Sequence, residues 1–439
     1  MQHILELIIS RLPIVDAIRT GILSRQWKDL WCDNRTMLIF NRITVRKHRS
    51  KIFPVGYRLL SMRKFLSRVN SVLQQHSGVG VERMEINCTL RNAQCHIDRW
   101  VSFAIASKTK ELILDLSELK RSALLTDTIN NWNVNREGFC NFPCELLDAT
   151  NGSHLRTLKL TSVYLKPTAD FNGFLNITRL NLLDVNITDE DVQHLLNKPN
   201  VLEFMEISFC RMLTIIHAPR SLNRLKHLQV DNCPRLQKIE INCDLTTLDF
   251  SGPMASLVFA RISSLNNKAI FPQRLPKFLH LRHIRLETIV LGHDRKTDIL
   301  DYAYLLEIAP FMEKLEIHMW MDSHRRPYRE EDGELRSFPL YHHSHLKWVH
   351  ITGFFGHKDQ VELALHILGS STMLKKMVID SKVAIVPVDG SYLPPLKGAL
   401  YVDGRVVATE FVCKADHRNV VQVVGASNED DSGVDANCI

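Results

Sequence analysis

From Met1 to Trp31 the apolar positions fall at helical spacing. Ile4, Leu5, Ile8, Ile9 and Leu12 predict one helix. Pro13 ends it, because proline lacks an amide hydrogen and restricts the residue before it. Val15 to Ile22 predicts a second helix, and Ser24 suits the N-cap of a third on which Trp27 and Trp31 share a face. Three helices this short cannot bury enough apolar surface by themselves. The cluster is therefore either a cap on the domain that follows or a docking module whose spare apolar face is covered by a partner.

From about residue 80 the period changes. An aliphatic residue, two others, an aliphatic, one other and an aliphatic recur at Leu155/Leu158/Leu160, Ile177/Leu180/Leu182, Leu202/Met205/Ile207, Leu225/Leu228/Val230 and Leu245/Leu248/Phe250. The steps are 22, 25, 23 and 20 residues, within the range of leucine-rich repeats, in which each unit supplies one strand of a curved parallel sheet. Val81/Met84/Ile86 and a poorer Leu112/Leu114 precede this block. Leu281/Ile284/Leu286, Met312/Leu315/Ile317, Leu346/Val349/Ile351 and Leu374/Met377/Ile379 follow it, mostly at longer steps, so an irregular solenoid is expected. Cys210 and Cys233, each five residues after a strand aliphatic, read as structural positions that satisfy buried backbone amides. Alternation sends the triplet aliphatics into the core and their neighbours onto the concave face. The outward candidates for holding a target are Lys159, Arg179, Asn181, Phe204, Glu206, His227, Gln229, Asp249, Arg285, Glu316 and Trp348. They are polar and mixed in sign, which suits a protein ligand better than a phosphate backbone.

Residues 346–385 predict strand, Gly-containing turn, helix and strand, one βαβ unit with parallel strands. The helix stripe is Val361, Leu365 and Leu368, with Asp359 near the N-cap and Gly369 past the end. Ala399–Val402 and Val406–Val412 read as further β stretches, and residues 425–439 as an acidic disordered tail.

Composition narrows the function classes. No run approaches the roughly 18 apolar residues of a membrane helix, and Glu6 and Arg11 interrupt the N-terminal apolar run, so no secretory signal is read. A cytoplasmic or nuclear protein with reduced cysteines is expected. Net charge is +7. The basic clusters Arg46–Lys51 and His324–Arg329 read as solvated loops, the second offset by Glu330, Glu331 and Asp332, so nucleic acid is not the expected partner. The ten cysteines lack metal-ligand spacing, and His342, His343 and His345 have no converging ligands, so no metal or other cofactor is expected. A Gly-rich phosphate loop, a Gly-x-Ser-x-Gly elbow and His-Glu-x-x-His are all missing from the sequence, and nothing argues for an enzyme.

The N-terminal string ILELIISRLPIVDAIRTGILSRQWKDLW resembles the F-box of plant F-box proteins, through Ser10-Arg11-Leu12-Pro13, Asp16-Ala17-Ile18-Arg19-Thr20 and Leu23-Ser24-Arg25-Gln26-Trp27 with Leu30-Trp31. The family's Leu-Pro-Asp segment before the first helix is missing, so the module reads as shortened. The 346–385 segment resembles the FBD element that closes many plant proteins of the F-box and leucine-rich-repeat type: strand, Gly-Phe, a Glu-Leu-Ala helix, then Leu-Lys-Lys-Met-Val-Ile-Asp. The resemblance implies an F-box at 1–40, repeats at 80–345 and an FBD-like cap at 346–412. It also implies docking on a Skp-type adaptor of a cullin ubiquitin ligase through Ile8, Ile9, Leu12, Pro13, Val15, Ile18, Trp27, Leu30 and Trp31, while the repeats hold an unknown target protein. The alternative is a repeat-based binding protein with a disabled F-box.

Overall fold

The computed structural model describes residues 2–12, 14–33, 37–41, 44–45, 61–117, 138–147, 154–198, 201–251, 278–290, 298–321, 326–337, 342–381 and 404–424. Pro13, the Arg46–Lys51 cluster, the Ala399–Val402 stretch and the 425–439 tail lie outside them. The chain divides into two units, Met1–Leu225 and Lys226–Ile439.

The first unit opens with α1 (Gln2–Arg11), α2 (Ile14–Thr20) and α3 (Arg25–Asp33). Ser24 caps α3 as its side chain allows, accepting the Trp27 amide at 3.4 Å. Six ladder strands follow, β1 (Met37–Asn41), β2 (Arg83–Asn87), β3 (Glu111–Asp115), β4 (Thr157–Thr161), β5 (Arg179–Leu183) and β6 (Phe204–Ser208), each parallel to the next. The register aligns the repeat aliphatics in continuous rows. Met84, Leu112, Leu158, Leu180 and Met205 face one another in turn, and all are buried. Two amphipathic helices, α4 (Met62–Gln75) and α5 (Gln94–Ala106), fill the longer early connections with Phe65, Val69, Ile97 and Trp100 inward.

The second unit repeats the scheme with β7 (His227–Asp231), β8 (Thr247–Ser251), β9 (His283–Val290), β10 (Lys314–Met321), β11 (Trp348–Thr352), β12 (Lys376–Asp380) and β13 (Val421–Val424), again all parallel. Leu228, Leu248, Ile284, Leu315, Val349 and Met377 form its buried row. The architecture is an α/β repeat solenoid behind a three-helix cluster.

One backbone feature recurs at the strand ends. Ser162, Asp184, Phe209, Asn232 and Gly353 each directly follow a ladder strand and take positive φ, between 44° and 66°. This left-handed residue turns the chain off the strand while its amide can still bond onward: Ser162, Asp184 and Asn232 donate to Leu183, Ser208 and Ser251 carbonyls at 3.1, 2.8 and 2.7 Å. At Gly353 the packing demands glycine as well, since a Cβ there would sit 1.8 Å from the Met319 carbonyl oxygen.

The βαβ unit forms as the sequence predicts, with α6 (Lys358–Ser370) between parallel β11 and β12. Its details differ. His357 is the N-cap, in a capping box with Gln360, and Asp359 stands in the first turn beside it, while Gly369 lies inside the helix. Asp359 accepts the Ile299 amide at 3.2 Å. Val361 and Leu368 are buried, whereas Leu365 is half-exposed and Ala364 and Ile367 take its place in the core. The predicted β stretch Val406–Val412 is helical, over Gly404–Val407 and Ala408–Cys413. Val407, Ala408 and Val412 are buried there, so burial of one helical face overrides the β preference of valine and threonine. The added edge strand is Val421–Val424.

Two polar readings are also resolved. The buried thiols of Cys210 and Cys233 donate to carbonyls, Cys210 to Ser208 at 3.6 Å and Cys233 to Asp231 at 3.6 Å, as structural positions. His343 is a satisfied core residue: Nδ1 accepts the Leu346 amide at 3.0 Å, which leaves Nε2–H to donate to the Ala309 carbonyl at 2.9 Å. Burial lowers its pKa, in keeping with a neutral ring.

Candidate functional site

The N-terminal cluster sorts its apolar residues into two sets. Ile9, Ile14, Ala17, Leu30 and Trp31 are buried. Trp31 lies against His76, with ring centroids 6.1 Å apart, and Ser77 donates to the Cys32 carbonyl through both its amide (3.2 Å) and its hydroxyl (2.8 Å). The end of α3 is thereby fastened to the end of α4. Ile9, Leu30 and Trp31, expected on a docking face, are instead buried, Trp31 beside His76. Leu12, Ile18 and Trp27 are half-buried, and the Pro13 and Val15 side chains lie outside the described ones.

The exposed set is different. Ile4 (62%), Leu7 (56%) and Ile8 (44%) stand at i, i+3 and i+4 on α1, and Ile22 (86%) and Leu23 (71%) occupy the turn between α2 and α3. Of these, only Ile8 was among the expected adaptor-binding residues. The signal for the others was present but ambiguous, since α1 is apolar around most of its circumference and periodicity alone does not say which stripe faces in. Aliphatic side chains this exposed on one small cluster suit burial against another protein.

The repeat face behaves as alternation predicts. Lys159, Asn181, Phe204, Glu206, His227, Gln229, Asp249, Arg285 and Glu316 are half-buried on the side away from the core, and Arg179 and Trp348 are exposed. In the first unit Lys159, Asn181 and Glu206 share one row, with Asn181 donating to Glu206. Arg179 stacks over the Phe204 ring, 3.9 Å from its centroid. In the second unit Gln229, Asp249, Arg285 and Glu316 share a row. His227 pairs with Asp249 at 3.0 Å. Glu316 lies beside His283 (3.4 Å), His318 (3.5 Å) and Lys314, and these neighbours, the histidines first, hold its carboxyl far below the usual range.

Asp231, Glu287 and His350, outward by the same alternation, complete the electrostatics of this face. Asp231 and Glu287 flank Ser251 in register. Burial, and then the neighbouring Asp231, pushes the Glu287 carboxyl up to about 7. His350, with its ring centroid 5.8 Å from that of His318, has its pKa lowered by burial and then by that neighbour. Among the described residues no group of His, Cys, Asp and Glu side chains could hold a metal ion. Of the second basic cluster, Arg326 is committed to Glu331 (3.1 Å) and Asp332 (2.6 Å). No described helix is long and apolar enough to cross a membrane.

Comparison with known proteins agrees with both halves of this geometry. A family model described as "At1g61320/AtMIF1, LRR domain" matches residues 72–275 and 254–387, and the F-box domain model matches residues 2–37. The chain is 24% identical over 409 residues to the F-box/FBD/LRR-repeat protein At1g13570 of Arabidopsis thaliana, covering 87% of this chain and 90% of that protein. It is 24% identical over 248 residues to the F-box/LRR-repeat protein At3g03360 of the same organism, covering 55% and 44%.

Proposed function

Because the chain belongs to the plant family that joins an F-box to leucine-rich repeats, with a substrate-recognition role in general terms, we propose that it is a non-catalytic subunit of a Skp-cullin-F-box ubiquitin ligase. The F-box docks on the Skp-type adaptor, which hangs from the cullin scaffold, and the repeat face holds a target protein for ubiquitination, in the cytoplasm or nucleus. The observation that carries this reading is the exposed aliphatic set Ile4, Leu7, Ile8, Ile22 and Leu23 on the helical cluster. Half-buried Leu12, Ile18 and Trp27 border the docking surface, and buried Ile9, Leu30 and Trp31 hold it in shape. The repeats span 80–345 and residues 346–412 close them as an FBD-like cap.

The chemistry required of this chain is positioning. Tethering a target beside the ubiquitin-charged enzyme raises the effective concentration of its lysines, and no proton transfer or nucleophile is needed here. Size-exclusion chromatography of the full chain mixed with a Skp-type adaptor tests the docking. Co-elution as a stoichiometric complex supports it; separate elution at micromolar concentration refutes it and favours a repeat protein with a disabled F-box.

A further inference from the structure

Resting on the target-holding role above, we propose that the second unit binds an acidic peptide segment carrying a bulky apolar anchor, at the N-terminal ends of β10–β12. Trp348 is 48% exposed, a large ring to leave in water, and Met373 nearby in sequence to β12 is also exposed. In register, Trp348 lies between Lys314 and Lys376. Neighbouring strands are about 4.8 Å apart, so a cationic stem stands on each side of the indole. One residue earlier the ladder places Lys347 beside Lys375, whose amide donates to the Lys347 carbonyl at 2.9 Å.

The local carboxylates are already engaged. Glu313 is bound by Lys347 at 2.7 Å, and Glu316 by His283, His318 and Lys314. Asp416, which precedes β13, accepts the amides of Arg418 (3.0 Å) and Val421 (2.7 Å). Lys375 and Lys376 have no ion pair among the described residues. The patch therefore offers surplus positive charge beside an exposed aromatic. Tryptophan is the residue type most able to anchor an interface, and rim cations steer an oppositely charged partner toward it. Nucleic acid fits less well, because Glu313 and Glu316 interrupt the cationic path that a phosphate backbone would follow.

The test is fluorescence anisotropy with the full chain and a short fluorescein-labelled peptide of alternating Glu and Asp around a central Phe. Matched probes replace the acids with Lys, replace the Phe with Ser, or substitute a single-stranded oligonucleotide. The acidic Phe peptide should bind, and W348A and K375E/K376E should each weaken it by about tenfold or more. Trp348 and Lys375 are exposed and Lys376 is half-buried, and unchanged thermal melts confirm the fold of each variant. No binding, equal binding of the basic peptide, indifference to both variants, or tighter binding of the oligonucleotide each overturns the proposal. Adaptor capture measured on the same samples keeps the two readings apart. Retained capture with a failed peptide result overturns this inference alone, and lost capture in the wild-type chain overturns the docking reading.

Discussion

Replacing Ile4, Leu7 and Ile8 together with glutamine separates docking from folding. Glutamine has nearly the helix propensity of leucine, so α1 should persist. The three side chains are 62%, 56% and 44% exposed, so about half of their apolar surface is free to be covered by a partner. Fully burying such a side chain is worth about 1.5–3 kcal/mol. Covering the exposed shares of all three on docking is then worth on the order of 2.5–5 kcal/mol, or a Kd weakened roughly a hundredfold to a few thousandfold. Calorimetric titration of a Skp-type adaptor into wild-type and triple-variant chains reads this directly. The thermal midpoint should fall as well, because by the same measure the buried shares of the three side chains are worth about 2–4 kcal/mol, so the titration is read well below the midpoint of the variant. Leu30→Ala, at a buried position, should cost about 2–5 kcal/mol of stability. A triple variant that binds within about twofold of wild type refutes the assignment of this face.

Three further outcomes follow from the packing. Arg336 donates to the buried Glu362 at 2.5 and 2.9 Å and pairs with Asp298, so Arg336→Met should leave Glu362 with only the backbone amide of residue 336 (2.8 Å) and, the arginine being half-exposed, cost about 1–3 kcal/mol; Arg336→Met with Glu362→Leu should recover much of that loss in urea melts, and a single variant as stable as wild type contradicts the pairing. Gly353→Ala should lower the unfolding free energy from urea melts by about 3 kcal/mol or more, because its φ is 66° and the new Cβ meets the Met319 carbonyl; an unchanged midpoint contradicts that close approach. Glu287 has its carboxyl raised from 4.5 to about 7. The folded chain thus keeps a proton that the unfolded chain releases, so stability should fall as pH rises from about 4.5 and level off above about 7, with a ceiling of about 3 kcal/mol. Glu287→Gln should flatten that fall in melts at pH 5 and pH 8, and an unaltered slope contradicts the assignment.

The ladder was legible because a two-residue alternation repeated at a near-constant step specifies both strand and register. Every aliphatic triplet from Leu155 to Phe250 falls on or just before a ladder strand and is buried. Met37–Asn41 escaped notice because Leu38 and Phe40 have no aliphatic three residues before Leu38. Val421–Val424 is short and stands alone in the sequence, with only its pairing to β12 to mark it. Val406–Val412 misled because valine propensity is weaker than the burial of Val407, Ala408 and Val412. At the N-terminus the module was readable from its motifs, but the outward stripe was not. Ile9 and Ile8 are adjacent and chemically identical, and only packing against α3 decides which is buried. The pairing of Glu316 with His283 joins different strands, so it depends on register and rotamer together.

Hydrogen–deuterium exchange of the full chain with and without a Skp-type adaptor tests the central claim most directly. Protection should appear within Gln2–Arg11 and across the Ile22–Leu23 turn, while the repeat strands of both units exchange as before. Protection confined to the repeat strands, or no change anywhere in residues 2–37, would contradict the account.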